Sequence, residues 1–295
     1  MPDWVGHLFA GAATGRMLRV RNLHIVLLGT LLPDVNAVLG TLSDLGHLPV
    51  HPYGLVLFLI PMSSPFAYLC LCAAAAAWFT QPVRAFGLLA LGAGTHVLLD
   101  MLQVGHVELP GYPLFLAVVN WPIHNYGENG DYWISGTALV ALLLLRLLPL
   151  HRDISLSFRR GWMCVLPLLL LAAVIWLNTP RLEASNVLNL RFFRGETVPD
   201  NDPVALISSR VTRTDPLLIA KAGREVAVKW VHPIPQGRLV SVWGRWHGGQ
   251  VVADRVVIHA PFQKILFSIL GVVVFLLYWI DLPWKRSSQE QPRPA

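Results

Sequence analysis

The sequence predicts a membrane all-α bundle of about seven transmembrane or re-entrant helices, with a small extracytoplasmic β-barrel of OB-like type inserted before the last helix. Three observations carry this expectation. The 295-residue chain is 54% apolar and only 14% charged, with a mean hydropathy of +0.53, whereas soluble chains carry about 25% charged residues. Long apolar runs recur along it, and one stretch of about eighty residues breaks the pattern with period-two, β-branched sequence. This composition excludes intrinsic disorder and a nucleic-acid-binding tail. Cys70, Cys72 and Cys164 all lie in apolar runs, so neither a disulfide framework nor a thiolate zinc site is expected.

The first two runs, Trp4–Leu18 and Leu23–Gly40, flank the basic turn 16–21 and read as a thin or tilted helical hairpin. A signal peptide is excluded because the basic cluster follows the apolar run instead of preceding it. Leu55–Phe79, Ala85–Leu102, Trp133–Leu150, Trp162–Asn178 and Ile265–Ile280 are each long enough, or nearly so, to cross a hydrocarbon core of about 30 Å. Between the last two lie 225–231, 238–243 and 250–258, rich in valine and separated by Pro233, Pro235, Gly237, Gly248 and Gly249. These read as strands and turns of the inserted barrel. The expected units are a helical domain over 1–178, the β domain over 179–263, a last membrane helix over 264–282 and a tail over 283–295.

Charge sets the expected orientation. Arg16, Arg19, Arg21, Arg84, Arg146, Arg152, Arg159, Arg160, Lys285, Arg286 and Arg293 fall on one predicted side, while segments 1–3, 41–54 and 103–132 hold no Lys or Arg. Positive residues in short loops mark the cytoplasmic face. The chain is therefore expected to be a multi-pass protein of a bacterial-type inner (plasma) membrane, with its N-terminus and β domain outside and its C-terminus in the cytoplasm.

On this topology His7, Asp34, His51, His96, Asp100, His106, His124 and Glu128 all fall at the outer face, and ionisable groups at membrane depth point to function. His96 and Asp100 are four residues apart, so on a helix they share a face and can reach one ion. His124 and Glu128 have the same spacing. Imidazole nitrogen with carboxylate oxygen suits zinc, and also manganese or iron. Five imidazoles and three carboxylates exceed the needs of one tetrahedral ion. Two ions about 3.5–4 Å apart sharing a carboxylate would use them, as in phosphoester hydrolysis. Asp100 is the candidate bridge, and Asp34 the candidate group to orient or deprotonate the attacking water. His232, His247 and His259 in the β domain, and the loop residues Asp3, Asp44, His47 and Asp131, read as ordinary surface or half-buried polar groups.

The stretches Pro2…His7…Gly11, Leu31-Leu-Pro-Asp34, the His51 region and Gly94-Thr-His-Val-Leu-Leu-Asp100, followed by Gly105 and Pro113, resemble the YdjM-like membrane-bound metal-dependent hydrolases over about residues 1–150. That family is itself distantly similar to the zinc-dependent phospholipase C and single-strand nuclease group. The order His, Asp, His, His-x3-Asp-x5-His, His-x3-Glu of that group is followed here by His7, Asp34, His51, His96, Asp100, His106, His124 and Glu128. The resemblance implies one zinc on Asp34, His51, His96 and Asp100 and a second on His106, His124 and Glu128. A third ion would sit on His7 and Asp100. The substrate expected from a site at the headgroup level is a lipid or lipid-linked phosphoester, with no nucleic acid; the partner of the β domain is left open. Two rivals stay open: a transporter relaying ions through intramembrane His and Asp, and a scaffold or sensor whose metal only staples helices.

Overall fold

The computed structural model describes residues 4–35, 38, 52–102, 111–114, 132–148, 150, 153–185, 196–221, 224–259 and 261–280. Its helices are α1 (Trp4–Met17), α2 (Leu23–Leu31) with a 3-10 turn over Leu32–Asp34, α3 (Pro52–Met62) and α4 (Pro65–Ala76). After these come α5 (Pro82–Met101), α6 (Tyr132–Leu147), α7 (Val165–Ser185, led in by a 3-10 turn over Phe158–Cys164) and α8 (Pro261–Trp279). Between α7 and α8 lie five strands: β1 (Pro203–Thr214), β2 (Leu217–Lys221), β3 (Arg224–Lys229), β4 (Leu239–His247) and β5 (Gln250–Ile258).

Among the described residues two helical stretches, Pro82–Met101 and Phe158–Ala184, are long and apolar enough to cross a membrane, while Leu23–Asp34, Pro65–Ala76, Trp133–Leu147 and Ile265–Trp279 are apolar but shorter. The run Leu55–Phe79, expected as one span, is two helices. Pro61 sits inside α3 and Pro65 opens α4, and a proline both lacks an amide donor and crowds the preceding turn. Ser64 makes the break stable: its Oγ donates to the Pro61 carbonyl at 2.6 Å and accepts from the Ala67 amide at 3.2 Å, capping α4.

The helices nearest the candidate site pack as a cluster around α1, which touches α2, α5, α6 and α8, while α4 packs on α5 and α7. The buried side of α5 is Ala85, Leu89, Gly92, Ala93, His96 and Asp100, a stripe at helical spacing. Two glycines bring α5 against α2. A β-carbon at Gly92 would strike the Val26 carbonyl oxygen and the Thr30 amide, and one at Gly29 would strike the Leu89 carbonyl. Only hydrogen leaves room for backbones this close.

Hydrogen bonds gather the connections at one end of this cluster. The Thr80 amide donates to the Ser155 carbonyl at 2.9 Å, the Ser157 amide to the Trp78 carbonyl at 2.7 Å, and the Ile154 amide to Asn22 Oδ1 at 3.1 Å. At the same end Arg16 donates to the Leu145 carbonyl, and the buried Arg146 donates to the carbonyls of Leu277 and Ile280 at 2.8 and 2.7 Å. Each arginine thus supplies a cation to carbonyls at a helix C-terminus, where the helix dipole is negative. Helices α1, α6 and α8 end here, and α2 and α5 begin here.

The strands form a closed five-stranded barrel in the order β1-β2-β3-β5-β4. All neighbouring pairs are antiparallel except β3 with β5, which run parallel with Ala227 opposite Gln250 and Lys229 opposite Val252. Inward residues such as Leu206, Val211, Ile219, Val226, Val240, Val242 and Val251 make one core, to which Ile234 of the β3–β4 connection is added. Strands β3, β4 and β5 fall where the alternation predicts them. The long β1 and short β2 were not expected.

Candidate metal centre

His7 lies one turn into α1, on the stripe Val5, Leu8, Gly11 and Ala12 that packs inward. Asp34 ends the 3-10 turn Leu32–Asp34 that follows α2, with Pro33 in its first turn, and His96 and Asp100 occupy the last turns of α5. The connections described above sit at the opposite ends of these helices, so the four side chains meet at the other end of the cluster. They are almost completely withdrawn from solvent, at 0% exposure for His7, 1% for His96 and Asp100, and 2% for Asp34.

Asp100 is the centre. Its Oδ2 lies 3.1 Å from His96 Nε2, its Oδ1 lies 3.4 Å from His7 Nε2, and Asp34 Oδ1 lies 3.8 Å from His96 Nε2. The two imidazoles stack nearly parallel, 8° apart in plane and 3.7 Å between centroids. One ligand atom from each of His7, His96 and Asp100 lies within 4.8 Å of the others. Ligands held about 2.0–2.1 Å from a tetrahedral zinc lie about 3.3 Å from one another, so the 3.1, 3.4 and 3.8 Å separations bracket that value.

The tautomer of His96 follows from its other nitrogen. Nδ1 is 2.6 Å from the Thr30 carbonyl oxygen, and a carbonyl only accepts, so Nδ1 carries the hydrogen. In the neutral ring Nε2 then presents a lone pair toward two carboxylates. A donor bond from the remote nitrogen to a backbone carbonyl is the usual support of a metal-binding histidine. Among the described residues, both nitrogens of His7 and Asp34 Oδ1 make no hydrogen bond although they are buried. Buried polar atoms are normally satisfied. A proton on His96 Nε2 would answer Asp100 Oδ2 alone. Divalent cations would answer the oxygens and imidazoles together, so the donor set fits a metal.

Of the eight residues singled out from the sequence, these four come together. His51, His106, His124 and Glu128 lie outside the described residues, as do Asp3, Asp44, His47 and Asp131. In the barrel, His232 and His247 are exposed, His247 lying 3.7 Å from Asp200. His259 is half-buried and hydrogen-bonded through Nε2 to Ser241 at 2.7 Å. The sequence reading missed the Thr30 carbonyl. Gly29 and Gly92, facing glycines on two apolar helices, were the available signal that a backbone group of α2 would reach α5.

No family model, curated protein or solved structure matches this chain. The site's chemistry therefore rests on its own geometry.

Proposed function

We propose that this chain is an integral-membrane, metal-dependent hydrolase, with zinc the favoured ion, acting on a lipid or lipid-linked phosphoester at the outer face of the membrane. The observation that carries the reading is Asp100, a carboxylate that offers one oxygen to each of two stacked imidazoles. Dinuclear hydrolytic sites hold their ions about 3.5–4 Å apart under a shared carboxylate, and the 3.7 Å stacking distance of His7 and His96 suits that spacing. His96, Asp100 and Asp34 would hold one ion, joined by His51 as the resemblance implies, and His7 with the other oxygen of Asp100 would hold another; the resemblance gives His106, His124 and Glu128 an ion of their own.

Bound zinc would supply a Lewis acid and bring the pKa of a water to about 7. The protein's own residues do the rest. Thr30 holds the His96 ring in one tautomer and orientation. Asp34, the farther of the two carboxylates from His96, orients the attacking water and accepts its proton. The near-complete burial of all four side chains excludes bulk water and strengthens each electrostatic contact. Membrane placement is supported by the two long apolar helices. The sidedness is supported by the gathering of the arginine-rich connections at the end opposite the site. The barrel, with its 1-2-3-5-4 order and parallel β3–β5 pair, is read as an OB-like extracytoplasmic domain.

A second reading has its own support. Full burial of all four side chains is what a closed, structural metal site would show, and in that case the protein is a scaffold. The experiment is elemental analysis of the purified full-length protein together with a lipid phosphoester hydrolysis assay. The hydrolase reading expects more than one equivalent of zinc, and turnover lost in Asp34→Asn with metal retained. Metal without turnover on any phosphoester would leave the scaffold; a metal-free protein would end both.

A further inference from the structure

The barrel is polar in its charges. Strand β5 ends at Ile258 and α8 begins at Pro261, so at about 3.3–3.6 Å per residue the barrel edge at Ile258 lies within about 11 Å of the first turn of α8. That edge is defined by the register. Ile258 pairs with Val240 and Leu239 with Arg210, the His259 amide donates to the Leu239 carbonyl at 2.8 Å, and the Val211 amide to the Arg238 carbonyl at 2.9 Å. Arg210, Arg238 and, three residues along β1, Arg213 are all exposed here, as is Ile258 at 38%. The single acidic residue in the adjoining β1–β2 turn is Asp215. At the other end, around the β4–β5 turn, acidic residues gather alongside Arg224 and Arg245. Gly248 donates its amide to Asp200, Trp246 donates to the Asp202 carbonyl, and Glu196, Asp200 and Glu225 line one shallow cleft with Arg224.

We infer that the rim bearing Arg210, Arg213 and Arg238 docks on anionic lipid headgroups of the membrane from which α8 emerges. This rests on the membrane reading given above. The short β5–α8 junction leaves the rim no distance to retreat from the headgroups, and the end that carries Glu196, Asp200 and Glu225 is turned away. Arginines close to an anionic surface gain from its negative potential within a Debye length. The docked rim fixes the barrel upright beside the outer ends of α7 and α8.

The test uses the full-length protein in nanodiscs of phosphatidylcholine alone, and of equal parts phosphatidylcholine and phosphatidylglycerol, read by amide hydrogen exchange. Exchange over 210–217 and 236–241 slows when phosphatidylglycerol is present, and high salt restores it. Exchange over 244–252 is indifferent to lipid. Substituting Arg210→Gln, Arg213→Gln and Arg238→Gln together abolishes the lipid effect, with the single variant Arg213→Gln reducing it by about fivefold. Unchanged exchange over 244–252 shows that the variant barrel is folded. Equal rim exchange in both discs, or a lipid effect that survives the triple substitution, overturns the docking. Failure of the membrane reading looks different: alkaline carbonate would strip the wild-type chain from the discs altogether.

Discussion

Replacing Gly92 with alanine should uncouple the metal site without touching a ligand. The added methyl would meet the Val26 carbonyl oxygen and the Thr30 amide. Carbon and oxygen sit comfortably at about 3.5 Å or more, so α2 and α5 must part by about 1 Å or more. The His96 Nδ1–Thr30 contact, now 2.6 Å, would then open past the usual hydrogen-bond range of about 2.7–3.2 Å. Loss of such a support costs a metal site about 10–100-fold in affinity. The assay is zinc competition against a chelator series on detergent-purified protein. Gly87→Ala is the control: it lies on the same helix with nothing within 4 Å of its β-carbon, and alanine there gains up to about 1 kcal/mol of helix propensity. The two substitutions are chemically identical, so intrinsic propensity predicts the same sign for both. Wild-type zinc affinity in Gly92→Ala would refute the link from glycine crossing to tautomer to metal.

The ligands themselves should separate by ion count. His7→Ala should lose the ion it shares with Asp100 Oδ1 and keep the one on His96 and Asp34, His96→Ala should do the converse, and Asp100→Ala, which removes the carboxylate common to both, should lose the two together; elemental analysis reads this directly. Asp34→Asn should keep its metal and lower turnover by about 10²–10⁴-fold, the usual scale for a lost general base. Arg146→Met should destabilise the bundle by about 3 kcal/mol, because the Leu277 and Ile280 carbonyls each lose a charge-assisted bond. Thermal unfolding in detergent measures it, with Arg146→Lys expected to recover part of the loss.

Much of the site was legible because it sits on helix periodicity. On α5 the inward stripe carries Ala85, Leu89, Gly92, His96 and Asp100 at spacings any helical reading recovers. The approach of α1 to that stripe was legible only as a shared predicted face, since nothing local ties His7 to residue 100. The Thr30 carbonyl was illegible, because every residue has a carbonyl and only the crossing distance selects this one. The α3–α4 break was hidden by hydropathy, which scores Pro61 and Pro65 as members of one apolar run although each disrupts the helix. In the barrel, β2 has five residues, too few for alternation to register. β1 carries Ser208, Ser209, Arg210 and Arg213 across a register shift between Leu206 and Ser209 and another between Val211 and Arg213, which breaks the period of two. The parallel β3–β5 pairing is non-local and has no sequence signature.

Charge counting explains why these four side chains occupy one buried place. With both imidazoles neutral, as metal ligation requires, the two carboxylates leave the cluster with a net charge of about −2, which is expensive to hold in a low-dielectric interior. Burial is tolerated when such charge is balanced, and the half-buried Arg16 and the buried Arg146 donate to helix C-termini at the other end of the cluster. One divalent ion would bring the cluster to neutrality. A second would leave these four groups about +2, an excess that Glu128, which the resemblance adds to the site, and the phosphate of a bound substrate would balance. On that arithmetic the second ion and the anion should bind together: inorganic phosphate should tighten the weaker of the two zinc equivalents, and the tightening should vanish in His7→Ala.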